Sequence, residues 1–464
     1  MGILKFFQSL CRLSFGDFEK EEFKKFIKMG VIFALMIGIY WTLRPLKDAV
    51  FMQIVDKLQL PFAKTFSLLV LLPMVMFYTK LISRFSKEKM LIVLPLFYGA
   101  LTLGFSALML IFQGSAIEIA ARSLPFLIAT KMMGYLFYVF VESFGSLVIA
   151  LFWAFATDTT VANSAKRGFP LVVAIGQMGG VILPYVVGGL PYRLGLATDS
   201  LSLLCLGALI LLLIPLVRYF FRSTPKDLLI STQASEPLHT ERQEEPGFLE
   251  GLKLLLRNRY LLGIFAANFI YEVVVTIFDF NFKLAAAAEY SGVALSHYLS
   301  VYGSSVNVVS LLCLLLGISN VTRFLGVGVA LAMMPLIVGG AVLGFLSFNS
   351  LSFLFILMVG SKAINYALNG PALKQLYIPT SSDAKFKAQA WIETFGSRSS
   401  KQAGSCFNMS LAPLQSTFGA LAGKSYYLML SGCLCFPLLA LWFIVALFLG
   451  KSFKKAVNTK SVIC

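Results

Sequence analysis

Apolar runs of about 20 residues or more recur along this chain, separated by short polar turns, and that recurrence narrows the possible architectures to very few. A helix needs about 20 apolar residues to cross a bilayer core, and backbone inside hydrocarbon must satisfy its own hydrogen bonds. Runs of this length fall near 29–55, 61–83, 90–113, 124–157, 168–190, 200–222, 260–287, 296–319, 324–347, 350–378, 387–420 and 426–450. They predict an all-α polytopic membrane protein with twelve transmembrane helices. The composition agrees, since 58% hydrophobic and 13% charged residues lie outside the soluble globular range.

The charged residues that remain mostly mark the turns. Lys and Arg collect in the N-terminal segment 1–28 (Lys20, Lys24, Lys25, Lys28) and in the connections holding Arg84, Lys87 and Lys89, then Lys166 and Arg167, then Arg323, then Lys385 and Lys387. The tail 451–464, with Lys451, Lys454 and Lys455, follows suit. The alternate connections hold Glu118, Arg122, Arg193, Asp199, Glu289 and Lys424, so both termini are predicted to be cytoplasmic. The net charge of +17 is thereby a topology signal and not a nucleic-acid surface. A long polar connection, 223–259, contains Pro225, Pro237 and Pro246 and divides the chain into six-helix halves at 29–222 and 260–450. An offset of roughly 220 residues sets the turn 157–168 opposite 379–388, and Gly176–Gly180 opposite Gly396–Ser400. The expected organisation is a 6+6, major-facilitator-like bundle around a central cavity.

Several charges nevertheless fall inside the spans, where insertion costs about 2.5–3.5 kcal/mol at mid-bilayer. In the first span, Arg44 and Asp48 are four residues apart on one face and can pair, which leaves Lys47 to meet an anion; Pro45 should kink the helix beside them. Glu142 lies deep in the fourth span, which Asp158 closes. The seventh span carries Glu272 together with Asp279 and Lys283, four residues apart and able to pair. In the tenth, Asn365 and Asn369 suit recognition of a base or sugar, and Gly370-Pro371 should break the helix. The eleventh is the most polar, with Arg398 and Lys401 on one face among Gly and Ser residues.

Buried cations facing a cavity fit a polyanion such as a phosphate ester. No Walker A motif, dinucleotide fingerprint or His-rich pattern accompanies them, so neither hydrolysis nor a metal or other cofactor is expected. The seven cysteines lie mostly in apolar runs without framework spacing, and only His239 and His297 are available for a histidine relay. No cleavable signal is expected, because the amphipathic, charged segment 1–28 precedes an apolar run too long for a signal peptide.

RPLKDA at 44–49, VESFGSLVIALFWAF at 141–155, the turn Ser164-Ala165-Lys166-Arg167, Tyr271-Glu272 and the segment 385–404 together resemble the nucleotide transporter family of plastids and obligate intracellular bacteria, the non-mitochondrial ATP/ADP translocases. The resemblance runs from about Lys24 to Tyr427 and maps the family's charges onto Lys47, Glu142, Glu272 and Lys401. The family's usual Gly-Lys pair reads Ser400-Lys401 here, so Arg398 competes for that role. The resemblance implies exchange of ATP for ADP, with or without phosphate, by alternating access and without hydrolysis. Joined to the polar residues read from the spans, the family's charges give an expected substrate set of Arg44, Lys47, Glu142, Glu272, Asn365, Asn369, Arg398 and Lys401, with Asp48, Asp158, Asp279 and Lys283 in pairing or gating roles. A monomer in the inner membrane of an intracellular bacterium is the expected setting. Proton-coupled nucleoside triphosphate importers and NAD carriers belong to the same family, and the residues do not separate these subclasses.

Overall fold

A computed structural model describes residues 18–85, 87–113, 124–229, 248–316, 320–348, 350–381, 387–459 and 462–463. The expectations resting on Glu118, Arg122, His239, Lys385 and the middle of the polar connection lie outside these residues. Among the described residues every regular element is helical. Nine helical stretches there are long and apolar enough to cross a membrane; the first, Lys20–Tyr78, takes in the first two expected spans.

The chain folds into two compact units. Unit 1 comprises Met1–Asp56, Phe66–His239 and, from beyond the polar connection, Tyr290–Ser304. Its central element is α1 (Lys20–Phe51), a helix with buried residues on every face, as expected of one surrounded by protein. Packed on it are α4 (Leu124–Asp158), α5 (Ala162–Leu183) and α6 (Ser200–Ser223), while α3 (Lys87–Phe112) lies against α4 and α6. Between them, α2 (Leu60–Arg84) links α1 and α3 in sequence.

Glycine allows α1 and α5 to approach closely. A Cβ on Gly179 would sit 1.8 Å from the Ala34 carbonyl oxygen, an atom of helical backbone that cannot rotate away. Small residues at such crossings let van der Waals contact replace the hydrophobic effect, which lipid does not supply. Polar side chains add specific ties: Tyr78 donates to the Leu147 carbonyl at 3.0 Å and Tyr98 to Ser143 Oγ at 2.9 Å. Where α5 begins, Ser164 and Arg167 hold Glu22 of α1, the guanidinium at 3.3 Å.

Unit 2 comprises Lys57–Thr65, Thr240–Glu289 and Ser305–Cys464. Here α7 (Arg259–Glu289) contacts α10 (Leu351–Ile364), α11 (Ser397–Asn408) and α13 (Ala420–Thr459), and α9 (Val327–Ser347) lies along α13. The short α12 (Leu411–Phe418) packs on α13. The sequence of α8 (Gly292–Leu315) divides at Ser304–Ser305 between the two units. With Ser296, Ser300, Ser304, Ser305, Asn307 and Ser310 along its length, α8 is not among the nine apolar stretches.

Two local expectations are corrected. The helix does not break at Gly370-Pro371: it widens into a π-helical turn at Asn365–Asn369 and resumes at Gly370–Gln375. Such a turn alters the hydrogen-bond spacing locally, so Pro371, at the start of the resumed segment, costs the ladder little. The run 387–420 is not one uninterrupted α-helix: it is divided into a π-turn (Ile392–Gly396), α11 and α12.

Replacing Gly179 with Val should force α5 away from α1 and cost about 1–3 kcal/mol, the usual range for overpacking. Thermal unfolding of the purified protein in detergent checks this; a midpoint matching the unsubstituted protein would show that the crossing tolerates separation.

Candidate functional site

Each unit presents its own cluster of charges. In unit 1, the last turns of α1 carry Lys47 and Asp48, both only 3% exposed. Lys47 Nζ lies 2.7 Å from Asp48 Oδ1 and 3.1 Å from Glu142 Oε1 on α4. It also stands 3.9 Å from the centre of the Tyr138 ring. Tyr138 and Glu142 are one turn apart, so α4 turns a carboxylate and an aromatic face toward the same ammonium. Two acids and a π-face thus surround one cation, the arrangement that low-dielectric surroundings demand of a buried charge.

The expected division of roles in α1 is corrected here. Lys47 is not left over: its ammonium is held by both Asp48 and Glu142. Arg44 places its guanidinium 5.3 Å over the Trp41 ring. Sequence spacing left Lys47 over, whereas in the structure it meets Asp48 beside it and Glu142 across on α4. Past Pro45, α1 remains helical to Phe51 and then widens into a π-turn at Met52–Asp56. Asp158 lies exposed at the end of α4.

In unit 2, Glu272, Thr276, Asp279 and Lys283 share one face of α7 by their spacing. Gly404 lets α11 reach that face: a Cβ there would lie 2.8 Å from Thr276 Cβ and 3.0 Å from the Val273 carbonyl oxygen. Asn408 Nδ2 donates to the Thr276 carbonyl at 3.2 Å. Lys401 Nζ stands 3.6 Å from Glu272 Oε1, which also accepts from Ser397 Oγ at 3.4 Å. These are long contacts, and the Lys401 side chain is 52% exposed. Two turns beyond Glu272 on α7, Asp279 is gripped by Lys283 of the same helix and by Lys362 of α10.

Asn369 Nδ2 donates to Asn365 Oδ1 at 2.8 Å across the π-turn, while Asn369 Oδ1 is buried with no partner. Nearby in sequence, Lys374 lines a cavity of about 190 Å³ with Asn268, Tyr377, Glu393 and Ser397. Arg398 is half-buried on α11, next to the serine that reaches Glu272.

Sequence reasoning missed Lys362, Tyr138 and Ser397. Lys362 carries the same signal as the other intramembrane charges, a lysine in the apolar run LMVGSKAIN, and could have been found by it. Tyr138 and Ser397 have no such signal, since single Tyr and Ser residues are common in helical bundles. Among the described residues no group of three or more His, Cys, Asp or Glu side chains could hold a metal ion. The chemistry on offer is electrostatic: ammonium groups held by carboxylates that an anion of higher charge can displace.

Comparison with known proteins is consistent over nearly the full length. The model of a family described as TLC ATP/ADP transporter matches residues 5–453. ADP,ATP carrier protein 1 of Rickettsia typhi is 23% identical over 95% of both chains. The plastidic ATP/ADP-transporter of Solanum tuberosum is 24% identical over 89% of this chain and 71% of its own. Among solved structures, the nucleoside transporter NupG superposes with a TM-score of 0.62 at 12% identity, covering 91% of this chain and 98% of the other. A bacterial homologue of the lysosomal transporter Spinster gives 0.58 at 15%, covering 95% and 99%. The fold is therefore an all-helical, major-facilitator-type transporter fold.

The two clusters should respond differently to truncation. Lys47→Ala leaves the buried Asp48 and the partly exposed Glu142 without their cation and should destabilise the protein by about 3 kcal/mol, the low end for breaking a buried pair. Lys401→Ala, at an exposed and long pair, should cost less than about 1 kcal/mol. Unfolding midpoints of the two variants in detergent check the contrast; equal losses would refute the assignment of Lys47 as the structural centre of its cluster.

Proposed function

Because this chain belongs to the TLC ATP/ADP transporter family, we propose that it exchanges ATP for ADP across a membrane by alternating access, binding the nucleotides without hydrolysing them. It is a transporter and not an enzyme. The observation that carries the reading is the Lys401–Glu272 pair: a half-exposed ammonium held at 3.6 Å by a carboxylate that a serine also contacts. A polyphosphate outcompetes one carboxylate for such a lysine, since it brings more charge and more acceptor oxygens.

In this reading Lys401 and Arg398 contact phosphate, and Glu272 is released as the nucleotide binds. Lys47, held by Asp48 and Glu142, supplies a second cation whose partners exchange during the cycle. Arg44, stacked on Trp41, adds positive charge beside it. The buried, unpartnered Asn369 Oδ1 suits a donor on the base or ribose, and Asn365 orients it. Asp279, with Lys283 and Lys362, is a pairing group that keeps α7 and α10 together, and Asp158 acts at the exposed end of α4. An empty carrier keeps its carboxylate–lysine pairs and moves slowly, because a ligand can shift the equilibrium only through differential binding. That requirement makes transport an exchange. We place the protein as a monomer in a bacterial cytoplasmic membrane with both termini in the cytoplasm, on the strength of the Lys and Arg distribution.

Purified protein in proteoliposomes loaded with ADP should take up labelled ATP at least about tenfold faster than empty vesicles, a difference of about 1.4 kcal/mol in barrier. Equal uptake into empty vesicles would overturn exchange, and assaying phosphate efflux in the same vesicles decides whether phosphate travels with ADP. Lys401→Ala should abolish uptake while the unfolding midpoint stays within a degree or two.

A further inference from the structure

A second polar network in unit 1 is separate from the charges assigned to nucleotide. At its centre is Asp199, the residue before α6, which is completely buried. Asp199 Oδ2 accepts from Gln113 Nε2 at 2.7 Å and from Ser296 Oγ at 2.7 Å. Its backbone N–H donates to Gln113 Oε1, also at 2.7 Å. Gln113 Nε2 spends its other hydrogen on Gln53 Oε1 at 2.7 Å, and Gln53 Nε2 donates to the Gly292 carbonyl at 2.6 Å. The Gln113 amide is thus used at every hydrogen, which fixes its orientation. Four segments meet here: the π-turn after α1, the end of α3, the start of α6 and the first turns of α8.

Asp199 Oδ1, by contrast, is buried with no partner. Among the described residues no lysine or arginine contacts the carboxylate, whose partners there are two neutral groups. A carboxylate held this way carries an uncompensated charge out of water, which is costly, whereas a proton on Oδ1 removes the charge and leaves Oδ2 accepting both bonds. The charged and titratable groups on the surrounding elements are Asp56 in the π-turn, Arg193 on the short helix Leu190–Arg193, and His297 beside Ser296.

The first turns of α8 are closely seated. The His297 ring stacks on Tyr192 at 4.7 Å, Ser300 leaves no room for a Cβ on Gly188, and Ser304 Oγ donates to the Val181 carbonyl. We propose that Asp199 is a proton-binding site that controls the seating of α8 in unit 1: protonated, it holds the helix in place, and ionised, it loosens it and speeds the transport cycle. The second half of that statement rests on the transporter reading above; the first does not.

Burial pushes the Asp199 carboxyl up to about 6, against about 3.9 for the same group in water. Because the seated state has the higher pKa, it binds the proton more tightly than the unseated state. Seating is therefore fully favoured below about pH 4 and weakens as pH rises through about 6. Over that interval the equilibrium can move by up to about a hundredfold, two pKa units.

The test uses the full chain with its native cysteines replaced and Ser300→Cys added as a reporter, since Ser300 is buried against Gly188 when α8 is seated. Maleimide labelling of this cysteine, divided at each pH by labelling of an exposed reference cysteine, should rise by up to about tenfold between pH 5 and 7.5. In Asp199→Asn, a neutral isostere, the ratio should stay low and flat. His297 is present in both proteins, so its own titration cancels from the comparison. Ser296→Ala removes a donor that stabilises the ionised form and should move the midpoint to higher pH, a change that a purely structural role would not produce. Profiles that coincide with and without Asp199, or a midpoint unmoved by Ser296→Ala, would overturn the proposal; if Asp199→Asn fails to fold, the Ser296→Ala midpoint decides alone. ATP/ADP exchange in vesicles is measured alongside. A pH-dependent labelling profile without nucleotide exchange would retain the proton site and reject the transporter reading, and exchange with a flat labelling profile would do the reverse.

Discussion

Hydrocarbon solvates neither a bare charge nor an unpaired backbone group, and this structure is arranged around that exclusion. Once the backbone is committed to helices, each intramembrane charge must find its partner on its own helix or on a neighbour. Lys47 finds one acid beside it in α1 and another across in α4. Asp279 takes one lysine from α7 and one from α10. Each such cluster specifies which faces of two helices meet, a selectivity that apolar contact with lipid-like side chains does not provide.

Glycine provides the complementary condition. Electrostatic pairing brings helix faces together only if the backbones can approach, and Gly179 and Gly404 remove the side chains that would hold α5 off α1 and α11 off α7. These two crossings have different consequences. The α1–α5 contact is buried scaffold, whereas the α7–α11 contact presents Ser397 and Lys401 beside Glu272 with much of the lysine still exposed. Lys47 is thus held tightly in one unit and Lys401 loosely in the other.

Asp199 departs from the ion-pair rule. Its partners are neutral, one of its oxygens has none, and its network is assembled from glutamine, serine and main chain. A proton is the least demanding way to neutralise it. In the proposed reading, lysines that answer to nucleotide and a carboxylate that answers to protons are two separate inputs acting on different helices.

Spanning length and the charges at Lys47, Glu142, Glu272, Asp279 and Lys401 were legible in the sequence, because hydropathy and the cost of a buried charge are properties of residues and their immediate neighbours. The family resemblance rested on the same short charged motifs. What the sequence could not reveal was which charge meets which. Spacing along one helix left Lys47 over for an anion, yet its ammonium meets Asp48 and also Glu142, a partner nearly a hundred residues away. The role of Asp199 was equally hidden: in sequence it is an acid in a turn, and only the convergence of Gln53, Gln113 and Ser296 removes it from water. Local composition thus determined that the chain must be a helical membrane protein with charges to conceal. The tertiary structure alone decided how they are concealed, because Coulomb and hydrogen-bond energies depend on distances in space that separation along the chain does not set.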